Sequence, residues 1–192
     1  MKFYFVLDHK KNYRYFSSEP VSQPQVQFSR LQGIWELAKQ KLMLLPKRIL
    51  SQEQAFGRTP PVDGEKVVIQ FSGNSSQKKV HRRFFFFLQK KRTQHTLLLA
   101  GEAILLPISG LMALIPGPNV FFGVLALIMY TQWQALKGIN RLSKNDYEFT
   151  EAPELKRWER AVDNKNEEEY QVVLDELEME LGVKNLSKIL WK

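Results

Sequence analysis

The chain opens on strand-forming residues. Residues 3–7 (FYFVL) and 13–16 (YRYF) are rich in aromatic and β-branched side chains, and the polar run 8–12 turns the chain between them. That pattern predicts a β-hairpin. Phe28, Leu31, Trp35, Ala38, Leu42 and Leu45 then recur at steps of three and four, which predicts an amphipathic helix stopping near Pro46. Pro60, Pro61 and Gly64 mark a loop, and 66–71 (KVVIQF) a further strand able to complete a three-stranded sheet. The expected front domain is therefore a small antiparallel sheet with an amphipathic helix. SGNSS at 72–76 is a turn or helix start. Its Asn-Ser-Ser matches a glycosylation acceptor, a chance match without a secretion signal.

From residue 77 the pattern changes. QKKVHRRFFFFLQKKR puts Val80, Phe84, Phe87 and Leu88 on one helical face, with Lys78, Lys79, Arg82, Arg83, Lys90, Lys91 and Arg92 around the rest. Two readings are open. A basic helix with an aromatic face suits the boundary between anionic headgroups and acyl chains. A core helix packing its phenylalanines on the sheet uses the same spacing. Next come 34 uncharged residues between Glu102 and Lys137, interrupted by PGPN at Pro116, Gly117, Pro118 and Asn119. A bilayer-spanning helix needs about 20 mainly apolar residues. Residues 96–115 just reach that length and 120–136 are marginal, so an apolar membrane hairpin over 96–136 is expected, crossing or re-entrant. Tyr130, Trp133, Lys137 and Arg141 stand at its exit as interfacial residues should.

The tail predicts acidic amphipathic helices. Leu155, Trp158 and Val162 follow Pro153, and Asp163 is a candidate cap for a second helix over 164–181 closed by Gly182. In that helix Tyr170, Val173, Leu174, Leu177 and Leu181 share a face opposite the acidic residues. Leu186, Ile189, Leu190 and Trp191 make a last apolar cluster. Folding back on the front domain is the favoured arrangement, with self-association or docking as alternatives. The expected fold is α+β, divided into an α+β domain at 1–76, a basic helix at 77–95, the apolar hairpin at 96–136 and an acidic helical region at 137–192.

Charge sharpens this division. The net charge of +8 conceals balances of +12 over 1–95, −1 over 96–136 and −3 over 137–192. Mean hydropathy, −0.32, is unremarkable because the apolar residues are concentrated in one stretch. No cysteine is present, which removes disulfides, thiol catalysis and thiolate-bound metals. His9, His81 and His95 form no ligand pair with an acidic neighbour, and phosphate loops, dinucleotide fingerprints and nucleophile elbows are absent. No enzyme activity, cofactor or metal is expected, nor nucleic-acid binding. The start of the chain lacks signal-peptide character, so a cytoplasmic or matrix side is expected.

The segment 105–142 (LLPISGLMALIPGPNVFFGVLALIMYTQWQALKGINRL) resembles the mitochondrial K+/H+ exchange-related family. Leu114, Pro116, Gly117, Pro118 and Asn119 match, followed in register by Phe121, Phe122, Trp133, Ala135 and Gly138. The resemblance implies a protein of the mitochondrial inner membrane, or of the bacterial membrane in a prokaryotic member, linked to potassium–proton homeostasis. Its ligands would be K+ and H+, and its role that of a subunit or regulator. Glu102 is the one ionisable candidate for ion coupling, with interfacial pairing to a lysine as the alternative. A single hairpin encloses no pathway, so transport would need a homo-oligomer or a membrane partner. The second reading is a non-transporting scaffold that binds anionic lipid through the basic helix and hairpin.

Overall fold

The computed structural model describes residues 2–21, 40, 43, 46–60, 66–111, 120–144 and 147–191. The expected corner at Pro116, Gly117, Pro118 and Asn119 lies outside them, as does the helix expected over 28–45 except residues 40 and 43. Strands β1 (Phe3–Leu7) and β2 (Tyr13–Ser17) form the antiparallel hairpin, with Phe3 opposite Ser17 and Leu7 opposite Tyr13. The turn is held by Asp8, whose Oδ1 accepts from the backbone N–H of Lys10 and Asn12. Helix α1 (Lys47–Gly57) begins at Pro46, whose carbonyl accepts from Ile49 and Leu50. Proline, lacking an N–H, is well placed at a helix start, so the residue expected to end one helix opens another.

Strand β3 (Val67–Phe71) lies beside β1, and helices α2 (Gln77–Leu111) and α3 (Val120–Leu142) lead to β4 (Tyr147–Glu151) on the far side of β3. The sheet order is β2-β1-β3-β4. β1 and β2 are antiparallel, but β1–β3 and β3–β4 are parallel. The expected all-antiparallel, three-stranded sheet is corrected to a mixed four-stranded one. Long helical connections explain the parallel pairs: a strand reached through a crossover can re-enter in the same direction, whereas a tight turn reverses it. Helices α4 (Leu155–Asn164), α5 (Glu167–Leu181) and α6 (Leu186–Leu190) complete the described elements.

Strand alternation gives the sheet two apolar faces. Phe3, Phe5, Tyr15, Val67, Ile69, Phe71 and Phe149 meet Phe56 of α1, Val80, Phe84 and Leu88 of α2, and Ala135, Ile139 and Leu142 of α3. Tyr4, Val6 and Phe16 meet the tail on the other face, through Leu155, Trp158 and Ala161 of α4, Tyr170, Leu174 and Leu177 of α5, and Leu186 and Leu190 of α6. The result is a helix–sheet–helix sandwich. The Trp158 indole N–H donates to the Leu7 carbonyl at 2.7 Å, and His9 N–H donates to that of Leu190 at 2.9 Å, tying the tail to the hairpin. The tail thus folds back on the sheet. Asp163 caps no helix. It lies inside α4, which ends at left-handed Lys165, and α5 ends at left-handed Gly182.

The expected membrane hairpin over 96–136 is overturned. No helix among the described residues is long and apolar enough to cross a membrane. Helix α2 is 35 residues long, but its first half carries the lysines and arginines. Its apolar part, 97–111, spans about 22 Å at 1.5 Å per residue, against a hydrocarbon thickness of about 30 Å. In α3 the wholly apolar run stops before Thr131 and Gln132, and the second half is committed to the sheet through Ala135, Ile139 and Leu142. Among the described residues, the uncharged stretch is divided between parts of two helices and supplies no single bilayer-length segment.

Candidate functional site

The most unusual chemistry lies where α1 meets α2. Val80, Phe84, Leu88 and His95 fall on one face of α2, and all four are buried. That face sets His95 against α1, with its ring 6.4 Å from Phe56 and its Nε2 3.3 Å from Glu53 Oε2. Burial raises the Glu53 carboxyl to about 7, against a smaller opposing pull from the Lys91 charge. Burial, and to a smaller extent the Lys91 charge, lower His95 to about 4. Burial disfavours the charged form of each group. The contact therefore joins a neutral imidazole to a carboxyl that exchanges its proton near neutrality. It is not a standing ion pair, and its geometry leaves Glu53 Oε2 without a formal hydrogen bond among the described residues.

A cleft of about 500 Å³ opens beside this pair. Arg14, Arg48 and Lys91 line it, along with Gln52, Glu53 and His95. Arg14 is held by Asp8, its Nε and Nη2 both donating to Asp8 Oδ2, the latter at 2.6 Å. Burial lowers the Lys91 ammonium, with the Glu53 charge opposing the shift. Gln52 Oε1 and His95 Nδ1 are buried without a hydrogen-bond partner among the described residues.

Farther along α2, the Gln132 side-chain amide donates to Glu102 Oε1 at 2.8 Å. Burial raises the Glu102 carboxyl and the Gln132 hydrogen bond partly offsets this. Glu102 Oε2 and Gln132 Oε1 lack partners among the described residues. The partner that the structure gives Glu102 is thus an amide, not the lysine weighed as an alternative.

The residues proposed for lipid contact are spread over different surroundings. Phe84 is fully buried in the core and Phe87 is half-buried beside it, so on this face the core spacing prevails. Their neighbours Phe85 and Phe86 point outward, 45% and 60% exposed. Lys78, Lys79, Arg82, Lys90 and Arg92 are exposed on the same helix. Arg83 donates to the Tyr13 hydroxyl at 2.6 Å and lies over that ring. On α3, Trp133 is exposed with the Lys137 ammonium 4.0 Å from its ring centre, and Arg141 donates to the Thr59 carbonyl.

Sequence reasoning missed Glu53 and His95 as a pair. Forty-two residues separate them, and only the sheet brings α1 to α2. One signal was available: His95 continues the apolar face of Val80, Phe84 and Leu88, which marks it as buried. Nothing local marks Glu53.

A family described as mitochondrial K+-H+ exchange-related matches residues 21–145, about two thirds of the chain. The protein belongs to that family, and its description links the chain to potassium–proton exchange and to mitochondria. The matched span contains α1, α2 and α3, so Glu53, His95, Glu102 and Gln132 fall within it, while Arg14 of the cleft lies before it. No curated protein and no solved structure matches the chain.

Proposed function

We propose that the protein serves potassium–proton exchange as an accessory subunit or regulator that rests on an anionic membrane surface without crossing it. The observation that carries this reading is the outer face of α2. Phe85 and Phe86 are exposed among Lys78, Lys79, Arg82, Lys90 and Arg92, on a helix whose other face is locked into the core. Neither ring belongs to a core cluster of the described residues, whereas an interface of headgroups and acyl chains takes both the rings and the cations. Each lysine or arginine near an anionic surface contributes about 1 kcal/mol, so three engaged cations raise binding by about a hundredfold. Leu97, Leu98, Ile104 and Leu105 extend the apolar surface of α2 beyond the basic stretch, each more than half exposed.

The link to protons comes from Glu53, a carboxyl that titrates near neutrality inside the family-matched segment. Potassium is handled by the partner transporter in this reading. The test has two arms. Sedimentation with vesicles should show binding that rises with anionic lipid, falls with salt, and is lost in Phe85→Ser/Phe86→Ser. Proteoliposomes holding this protein alone should show no potassium-dependent proton flux. Flux that disappears in Glu102→Gln would instead make the chain itself an exchanger.

A further inference from the structure

The cleft between α1 and α2 has a composition that the surface reading does not use. Its cations are of two kinds. Arg14 is neutralised by Asp8, whereas neither Arg48 nor Lys91 is salt-bridged among the described residues. The floor is polar but incomplete. Gln52 and His95 are each 4% exposed, and each leaves a buried polar atom with no partner among the described residues. Gln52 Oε1 only accepts, so a ligand that satisfies it must bring an O–H or N–H donor. An orphaned buried polar atom is uncommon and points to a missing partner. Besides Gln94, the remaining wall is apolar and open: Ile49, Leu97 and Leu98 line the cleft at 44%, 68% and 52% exposure.

From this juxtaposition we infer that the cleft binds one anionic glycerophospholipid whose headgroup carries free hydroxyls. Its phosphate lies against Arg48 and Lys91, a headgroup hydroxyl donates to Gln52, and its acyl chains run along Leu97 and Leu98. A zwitterionic headgroup would bring a further cation to a cleft that already holds two unneutralised ones. A bare inorganic phosphate would leave the leucines uncovered. Among the described residues Glu53 is the one carboxylate lining the cleft; His95 and Lys91 of α2 face it, and Arg14 of β2 and Arg48 of α1 line the same cleft. Burial raises it to about 7, so below neutrality it is mostly uncharged and repels a phosphate little.

The inference deepens the surface reading and places a specific lipid within it, but its test does not need a bilayer. Dihexanoyl-phosphatidylglycerol, kept monomeric, is titrated into the full chain and followed by calorimetry and by amide chemical shifts. Binding should be at least tenfold tighter than for dihexanoyl-phosphatidylcholine and for glycerol 3-phosphate. Arg48→Glu, at a partly exposed position, should weaken it at least tenfold, and Gln52→Leu should remove the preference over dihexanoyl-phosphatidic acid. Equal binding of all the lipids, or binding untouched by Arg48→Glu, overturns the site. A preference for glycerol 3-phosphate would reassign it to a soluble phosphate ester and also overturn it. Monomeric lipid binding with no vesicle binding keeps the site and rejects the surface reading; vesicle binding with no headgroup preference does the reverse.

Discussion

Gly138 sits where α3 crosses α1, and Gly138→Ala sets two effects of opposite sign against each other. In an exposed helix interior, alanine is favoured over glycine by about 1 kcal/mol. Here a Cβ would come 1.7 Å from the Phe56 carbonyl oxygen and 2.4 Å from its carbonyl carbon. Those atoms are backbone, so no rotamer change relieves the clash and the two helices must separate. Phe56 is fully buried and stacks on Tyr15 with ring centres 5.0 Å apart, so separation also opens the core. Overpacking a well-filled core costs about 1–3 kcal/mol, and more where backbone must move. Because backbone must move here, the upper end of about 3 kcal/mol applies, and subtracting the propensity gain leaves a net loss of about 2 kcal/mol. For a chain of this length that lowers Tm by roughly 4–8 °C. Urea unfolding followed by far-ultraviolet circular dichroism measures the loss directly. A variant as stable as the parent, or stabilised by the propensity gain, would refute the close helix crossing.

Three further outcomes follow from the same packing and electrostatics. Because Glu53 binds its proton more tightly folded (about 7) than its ordinary 4.5, its stabilising contribution is complete below pH 4.5 and is lost as pH rises through about 7. His95, lowered from 6.5 to about 4, contributes fully above pH 6.5 and loses that contribution as pH falls through about 4. The two slopes cancel between pH 4.5 and 6.5. Glu53→Gln should therefore make stability, measured by urea unfolding, rise with pH there by about 1.4 kcal/mol per unit relative to the parent; an unchanged slope would mean the two groups are not buried together. Leu174→Ala, at a fully buried position on the inward face of α5, should cost about 2–5 kcal/mol in the same assay. A loss below 1 kcal/mol would indicate that the tail does not pack on the sheet. Phe85→Ser/Phe86→Ser should leave unfolding within about 0.5 kcal/mol of the parent, since both rings are exposed.

What could be read along the chain was what short-range spacing encodes. The β1–β2 hairpin, the strand ending at Phe71 and the apolar face of Tyr170, Leu174 and Leu177 all rest on local periodicity, and all are present. Strand β4 carried the same signal in YEFTE, with Tyr147 and Phe149 inward and Glu148 and Thr150 outward, but its five residues lie between strongly helical stretches. The parallel pairing of β3 with β1 and β4 was not legible, because it depends on where the crossovers lie. The core role of α2 was ambiguous for a physical reason. Four consecutive phenylalanines supply both an inward pair and an outward pair, so Phe84 and Phe87 were legible as apolar but not as buried. The apolar stretch misled most, since lack of charge measures hydrophobicity and not helix length. Once Leu97, Leu98 and Trp133 are placed on helices whose other halves belong to the sandwich, no bilayer-length segment is left among the described residues.

The most direct measurement is co-sedimentation of the full chain with vesicles of phosphatidylcholine alone and with about one third anionic lipid, at low and high salt. Binding confined to the anionic vesicles, released by salt and lost in Phe85→Ser/Phe86→Ser, is the expected result. Equal partitioning into both vesicles, or no partitioning into either, would contradict an accessory protein held at a charged membrane face by the outer surface of α2.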